Sequence, residues 1–279
     1  MRIDLHTHSS VSDGTDAPAA LVAKAAAAGL DAVALTDHDT FDGLAEAHAA
    51  GPAAGVEVLG GLEMSTERGG NAVHLLGYGC RTDDPALLAE LARLRDARDD
   101  RVPRMVARLG ELGMPLTVED VLAEARDTPS VGRPHVADAL VRKGYVANRD
   151  EAFDSWLADG GPAYVERYQT PLEDAIALVR GAGGVPVLAH PWSRGRRADL
   201  PEEVLAELVR EHGLAGLEAD HPDHDAATRA ALHAIADRLG VLATGSSDYH
   251  GLGKTNNPLG ACVTDPAVYA DIVRRVAEG

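Results

Sequence analysis

The 279-residue chain is poor in cysteine and in aromatic rings, with two cysteines, Cys80 and Cys262, and 4% Phe, Trp and Tyr. Two thiols make no disulfide framework, so the sequence predicts free or buried cysteines in a reducing compartment. With few rings, a core must come mainly from Ala, Val and Leu. The 45% hydrophobic content suffices for one good-sized α/β domain, or one domain carrying an insertion. Positive charge is also scarce. Lys and Arg number 26 against 44 Asp and Glu, a net charge of −18. That balance argues against a basic track for a long nucleic acid, although bound cations can still make a pocket locally positive. No apolar run reaches membrane-spanning length. Only Met1-Arg2-Ile3-Asp4-Leu5 precedes His6, too short for a secretory leader. The expectation is a cytoplasmic protein with no membrane partner; nothing in the sequence speaks to oligomeric state.

What is present is an α/β rhythm. Residues 2–5 predict a strand running straight into His6. Asp16 is expected to cap a helix with Pro18 in its first turn and Gly29 closing it. Strands are predicted at 32–36, 56–59 and 72–78, with a helix near 41–50. From Pro85 the pattern becomes helical: 85–112, 118–125, 134–143 and 149–157. The later part, residues 100–168, reads as a helical insertion, leaving residues 1–99 and 169–279 as the main domain. The rhythm resumes with helices at 171–182, 201–212, 225–239 and 266–276, and strands at 185–189, 215–219 and 241–244. About seven strands with intervening helices imply a mostly parallel sheet, closer to a barrel than to an open one. In such barrels chemistry gathers at the C-terminal strand ends.

The twelve histidines respect that rule. His6 and His8, two residues apart, share a face of an extended segment. His38 follows the second strand, Glu63 the third, His190 the fifth, and Asp248 and His250 the last; His74 lies within the fourth, and Asp13 in the loop after the first pair. Singly, His74 reads as a hydrogen-bonded core residue and Asp13 as a turn residue. Jointly, apolar strands that repeatedly end in imidazole or carboxylate are hard to explain by packing. They are ligands for borderline or hard divalent ions, Zn, Mn or Fe, with no thiolate. Nine candidates exceed the needs of one ion, so two or three are expected. His48, His212 and His233, within or at the ends of helices, read as surface or capping residues.

A second set suits an anion. Arg133 and His135 open a helix, where N–H groups and a guanidinium can meet a phosphate; Arg133 could equally pair with an acid. Arg194, Arg196 and Arg197 follow His190 and either reach the same mouth or form a solvated loop. Glu218, His221 and His224 follow another strand end as substrate-contacting or outer groups. Asp37 and His221 are candidates to orient groups or pass a proton to a leaving alkoxide, and the sequence does not choose between them.

The stretches DLHTHSSVSDG, ALTDHDT, GLEMST, HLLGY, VLAHP and GSSDYH, in this order, resemble the PHP (polymerase and histidinol phosphatase) family. GRPHVADALV and FDSWLADGGPAYV are most similar to its stand-alone branch, which includes 3′,5′-nucleoside bisphosphate phosphatases and RNase AM. The resemblance implies a distorted seven-stranded (β/α) barrel with a helical insertion. It implies a bi- or trinuclear site of Mn, Fe or Zn held by His6, His8, Asp13, His38, Glu63, His74, His190, Asp248 and His250, with Arg133 on a phosphate. WSRGRRAD after AHP matches no family role. The implied activity is hydrolysis of phosphate monoesters by a metal-bridging hydroxide, on a small phosphorylated substrate: nucleoside 3′,5′-bisphosphates or the 5′ ends of short RNAs. Alternatives are a histidinol-phosphatase-like or sugar phosphatase, and a non-catalytic metal-binding module. A full set of ligands argues against the module.

Overall fold

Short Val-, Leu- and Ala-rich runs buried on both faces build the strands, as expected where helices cover a sheet. The computed structural model describes residues 1–125, 131–158 and 160–279, with side chains at 99 and 194–196 outside that description. Its order is β1 (Ile3–Thr7), α1 (Pro18–Ala27), β2 (Ala32–Leu35), α2 (Leu44–Ala54), β3 (Glu57–Arg68), β4 (Asn71–Tyr78), α3 (Pro85–Glu111), α4 (Val118–Ala125), α5 (Arg133–Arg142), α6 (Arg149–Ala152), β5 (Thr170–Pro171), α7 (Leu172–Gly181), β6 (Val185–Leu188), α8 (Glu202–Glu207), β7 (Gly216–Asp220), α9 (Ala226–Leu239), β8 (Leu242–Gly245) and α10 (Pro266–Glu278). Seven strands follow one another as β1-β2-β3-β4-β6-β7-β8, with the two-residue β5 beside β3. Thr7 bridges to Tyr249, and the His8 N–H donates to the Tyr249 carbonyl at 2.8 Å. Those links nearly close the barrel.

Alternation sorts the core. Ile3, Leu5, Ala32, Ala34, Leu59, Leu76, Val185, Val187 and Leu242 meet in one cluster inside the barrel. Val33 and Leu35 instead pack against α1 and α2. Leu62, Met64, Val73 and Leu75 pack with α7 and α9.

Three expectations change. The sheet is not mostly parallel around β4, which runs antiparallel to both β3 and β6. β3 does not stop near Leu59: residues 57–60 pair with β2, and residues 61–68 continue as a hairpin with β4. The connecting Gly69-Gly70 has φ of 60° and 81°, the double left-handed turn a two-residue hairpin needs. Glu63 and His74 therefore lie in mid-strand. Asp16 does not cap α1, whose N-cap is Ala17; its carboxylate holds Lys24 and the Tyr249 hydroxyl.

Helix α3 links two packing regions. Leu87, Leu91 and Leu94 belong to the barrel's flank. Val102, Met105 and Leu109 join a separate cluster with Val121, Val136, Leu140, Leu157 and Ala163. No helix among the described residues is long and apolar enough to cross a membrane.

Candidate metal centre and its cationic wall

Breaks in the strand register at their upper ends, between Asp4 and Thr7 in β1 and between Glu218 and Asp220 in β7, re-aim side chains as β-bulges do. His6, His8, Asp13, His38, Glu63, His74, His190, Asp248 and His250 converge there. Glu63 is central. Its Oε2 lies 3.3 Å from His6 Nε2, 3.2 Å from His8 Nε2 and 3.1 Å from His38 Nδ1. Its Oε1 lies 2.8 Å from His74 Nδ1 and 3.1 Å from His190 Nε2. Asp248 Oδ1 is 3.4 Å from His8 Nε2 and 3.5 Å from His250 Nδ1. Asp13 stands 3.2 Å from His250 Nε2 and 3.7 Å from His38 Nε2. Overlapping groups with ligand atoms within 4.8 Å of one another follow: His8, Asp13, His38 and His250; His6, His8 and Asp248; His6, Glu63 and His190; His38, Glu63 and His74.

Hydrogen bonding alone does not account for this packing. His6 Nε2 and His8 Nε2 face each other at 2.9 Å. Among the described residues, buried His8 Nδ1, His38 Nδ1 and Asp13 Oδ1 find no partner at hydrogen-bonding geometry, despite close neighbours, a costly state for polar atoms. Burial disfavours a charged His8, yet Asp248 and Glu63 raise it to about 9: the carboxylates demand a positive charge where the rings meet. His38 and His190 are pushed by burial down to about 3 and about 4 and keep a lone pair to give. A nitrogen–oxygen donor set that draws in positive charge fits divalent cations. His190 (φ 28°) and Asp248 (φ 52°) are held in the left-handed region, where non-glycine residues are rare.

A supporting layer lies behind these groups. Burial would raise the Glu218 carboxyl, but His6 brings it down to about 2. Ionised, it takes a hydrogen bond from His6 Nδ1 at 3.0 Å and from the His190 N–H at 2.8 Å, and another from Ser246. That turns His6 Nε2 toward the centre, as in a metal-ligating imidazole, where burial is outweighed by Glu63, Glu218 and Asp248, which favour positive charge on the ring. His221 Nδ1 accepts from the Asp223 N–H at 3.1 Å, so its Nε2 donates to Asp248 Oδ2, 3.3 Å away. Asp37 accepts from Ser9 N–H at 2.8 Å, Ser9 Oγ at 2.7 Å and Ser12 Oγ at 2.6 Å, and burial raises its carboxyl. Of the two roles expected for Glu218, His221 and Asp37, the structure places all three behind the cavity lining, where they orient other groups, and not at its surface. Their polar atoms are spent holding other parts of the site. His224 Nδ1 likewise bonds the Ala219 carbonyl.

The cage floors a cavity of about 740 Å³ that is also lined by Arg98, Arg101, Arg133, Arg149, Arg167 and, beside the cage itself, Lys254. Arg133 donates to the Leu157 carbonyl at 3.1 Å and lies 5.8 Å from the Phe153 and Tyr164 ring centres. Arg149 forms a fork with Asp138 at 2.6 and 2.5 Å. Burial and the neighbouring Arg98 bring Arg167 down to about 9, evidence of crowded positive charge. Lys254 sits 2.5 Å from Asp248 Oδ2. Val102, Met105, Phe153 and Leu200 give the cavity an apolar side.

Arg133 thus faces the cavity as expected. His135 does not: its Nδ1 accepts the Gly132 N–H at 3.1 Å and caps α5. The side chains of Arg194 and Arg196 lie outside the described residues, and Arg197 is exposed over the Trp192 ring. Sequence reasoning missed Arg98, Arg101, Arg149, Arg167 and Lys254. The one available signal was the three-residue spacing of Arg95, Arg98 and Arg101, which puts them on one helix face.

The PHP-domain profile matches residues 4–84. The chain is 35% identical to the 3′,5′-nucleoside bisphosphate phosphatase of Chromobacterium violaceum over 98% of its own length and 96% of the relative's. It is 36% identical to the phosphoribosyl 1,2-cyclic phosphate 1,2-diphosphodiesterase of Eggerthella lenta, over 89% of this chain and 94% of that one. A Bifidobacterium adolescentis crystal structure assigned as a metal-dependent phosphoesterase superposes with a TM-score of 0.93 at 37% identity, covering 98% of this chain and 96% of the other. With relatives and a solved structure matching it over nearly its whole length, and a His, Asp and Glu cage of the kind that can hold metal ions, the chain belongs to the PHP family of metal-dependent phosphoesterases.

Proposed function

We propose that the chain hydrolyses phosphate monoesters of small nucleotides, with nucleoside 3′,5′-bisphosphates or the 5′ ends of short RNAs as substrates. One observation carries the reading: a donor cage that draws in cations faces a wall of guanidinium groups across one cavity. A doubly charged phosphate between two positive surfaces is stabilised most as its charge redistributes in the transition state. Divalent ions, two or three of Mn, Fe or Zn, would be held by His6, His8, Asp13, His38, Glu63, His74, His190, Asp248 and His250. Bound there, they supply Lewis acidity and a nucleophile derived from water at neutral pH. Glu63, shared between two of the donor groups, suits a bridging role.

The protein's own residues do the rest. Arg133 and Arg167 bind non-bridging oxygens, and the flat apolar side at Val102, Met105 and Phe153 accepts a base. Glu218 fixes the His6 tautomer, His221 orients Asp248, and Asp37 shapes the loop after the first histidine pair. Residues 1–99 and 169–279 form the catalytic barrel, and residues 100–168 an inserted unit that carries much of the cationic wall. The net charge of −18 favours short substrates over polymers. Two free cysteines suit the cytoplasm.

The test is phosphate release by metal-loaded protein from a nucleoside 3′,5′-bisphosphate, a 5′-phosphorylated dinucleotide, a ribosyl 1,2-cyclic phosphate and histidinol phosphate. The reading expects turnover on the first two. Turnover on the cyclic ester or histidinol phosphate alone would reassign the substrate, and no release from any of the four would overturn the reading.

A further inference from the structure

Asp39 belongs neither to the cage nor to the wall, yet it is fully buried and its backbone is strained, with φ of 55°. Such a conformation persists only where surroundings over-determine it, and here every polar group of Asp39 is taken. Its N–H donates to the Glu63 carbonyl at 3.1 Å. Its carbonyl accepts from Arg95 at 2.7 Å. Oδ1 accepts the Ser65 N–H at 2.7 Å; Oδ2 accepts Ser65 Oγ at 2.8 Å and Arg98 Nε at 2.9 Å. Arg98 closes the ring by donating to Ser65 Oγ at 2.6 Å.

The location gives the arrangement its meaning. Asp39 directly follows His38, and the N–H and carboxylate groups of Asp39 grip β3 at and two residues beyond Glu63. Arg95 and Arg98 are one turn apart on α3, between Leu94, which packs on the barrel, and Val102, which packs in the insertion. Beyond this point the same helix carries Arg101 into the cavity wall, which Arg98 itself also lines. A buried ion pair is a poor source of stability, because desolvation offsets its attraction, but it fixes register well.

We propose that Asp39 is a positioning residue: through Arg98 it locks helix α3, and with it the cationic wall, at a set distance from the cage. The inference rests on the reading that this wall binds phosphate. The lock does not contribute a ligand; it keeps one half of the site in place against the other, where displacement of a group by an ångström is expensive.

The experiment compares wild type, Asp39→Asn, Arg98→Lys and the double variant. Asparagine tolerates the left-handed backbone and keeps an oxygen for the Ser65 N–H. Its amide nitrogen replaces the oxygen that accepts from Arg98 Nε and Ser65 Oγ, so it removes both the charge and the acceptor that hold Arg98. Arg98→Lys probes the link from the other side should Asp39→Asn not fold. Metal content is measured by elemental analysis, folding by thermal melting, and inorganic-phosphate affinity by calorimetry on metal-loaded protein; KM and kcat are taken on the nucleoside 3′,5′-bisphosphate. Expected for each single variant is a phosphate Kd and KM raised about ten- to hundredfold, a smaller change in kcat, and unchanged metal content. The double variant should be no worse than the weaker single, as for two ends of one link. Wild-type phosphate affinity in Asp39→Asn, losses that add in the double variant, or lost metal with unchanged phosphate affinity would overturn the proposal. If wild type binds phosphate but hydrolyses no ester, the functional reading fails while the calorimetry still decides the lock.

Discussion

The two sides of the cavity are built by opposite rules. The cage stands on barrel strands and the turns that leave them, its donors nitrogen and oxygen, its side chains buried except for the half-buried His74, His190 and His250, and its backbone strained at His190 and Asp248. The wall stands on three helices, α3, α5 and α6, and on loops, its groups all cationic, most of them partly solvated and each tied to a carboxylate, carbonyl or ring. A site for cations needs directional lone pairs at fixed distances, which bulged and strained strand ends supply. A site for a doubly charged anion needs summed positive charge, which several side chains from mobile-tolerant elements can share. In the proposed reaction one phosphate meets both, and each side should be open to damage without the other.

The largest separation comes from Glu63→Gln. Removing the carboxylate shared by His6, His8, His38, His74 and His190 should lower bound metal and reduce turnover to background; elemental analysis alongside phosphate release checks both. Retained metal with lost turnover would move Glu63 out of the cage. Next is Arg133→Ala, where kcat/KM is expected to fall by about 10²–10³-fold, as for loss of one preorganised donor to a developing charge, while metal content stays at the wild-type level. A fall in metal would mean the two sides are not separable. Smaller again, Glu218→Gln should weaken metal binding by about 10–100-fold, the usual cost of losing the carboxylate behind a ligating imidazole, read by competition with a chelator. An unchanged affinity would leave Glu218 a purely internal hydrogen-bond acceptor. The smallest effect is His135→Ala, predicted to cost about 1 kcal/mol of stability as a lost helix cap with KM unchanged; thermal denaturation and steady-state kinetics settle it, and a raised KM would return His135 to the substrate.

This asymmetry also explains what the sequence made legible. The cage could be read because each donor interrupts an apolar strand pattern: His6 after Ile3–Leu5, His190 after Val187–Ala189. Helices 118–125 and 149–157 were placed within a residue or two by their own periodicity, although the second ends in a wider π-type turn at Phe153–Leu157. The β3–β4 hairpin was missed because Gly60-Gly61 looks like a chain break. In the fold, a Cβ on Gly61 would meet the Gly77 carbonyl oxygen at 3.0 Å, so glycine is there to let two paired strands approach. Asp37 and His221 carried acid–base chemistry on paper; only coordinates reveal that serine hydroxyls and a backbone N–H occupy their polar atoms. Apart from Arg133, the wall was hard to read for a simpler reason. Arg98 and Arg101 sit among aspartates on a charged helix, and nothing local distinguishes them from solvated side chains.

The central claim is that the nine gathered side chains hold the ions on which hydrolysis depends. Metal stoichiometry measured through a chelator titration, with phosphate release followed on the same samples, tests it most directly. The account predicts two or three divalent ions per chain in the active protein, activity falling in step with their removal, and recovery on re-addition. Full turnover from protein stripped of divalent ions would contradict it.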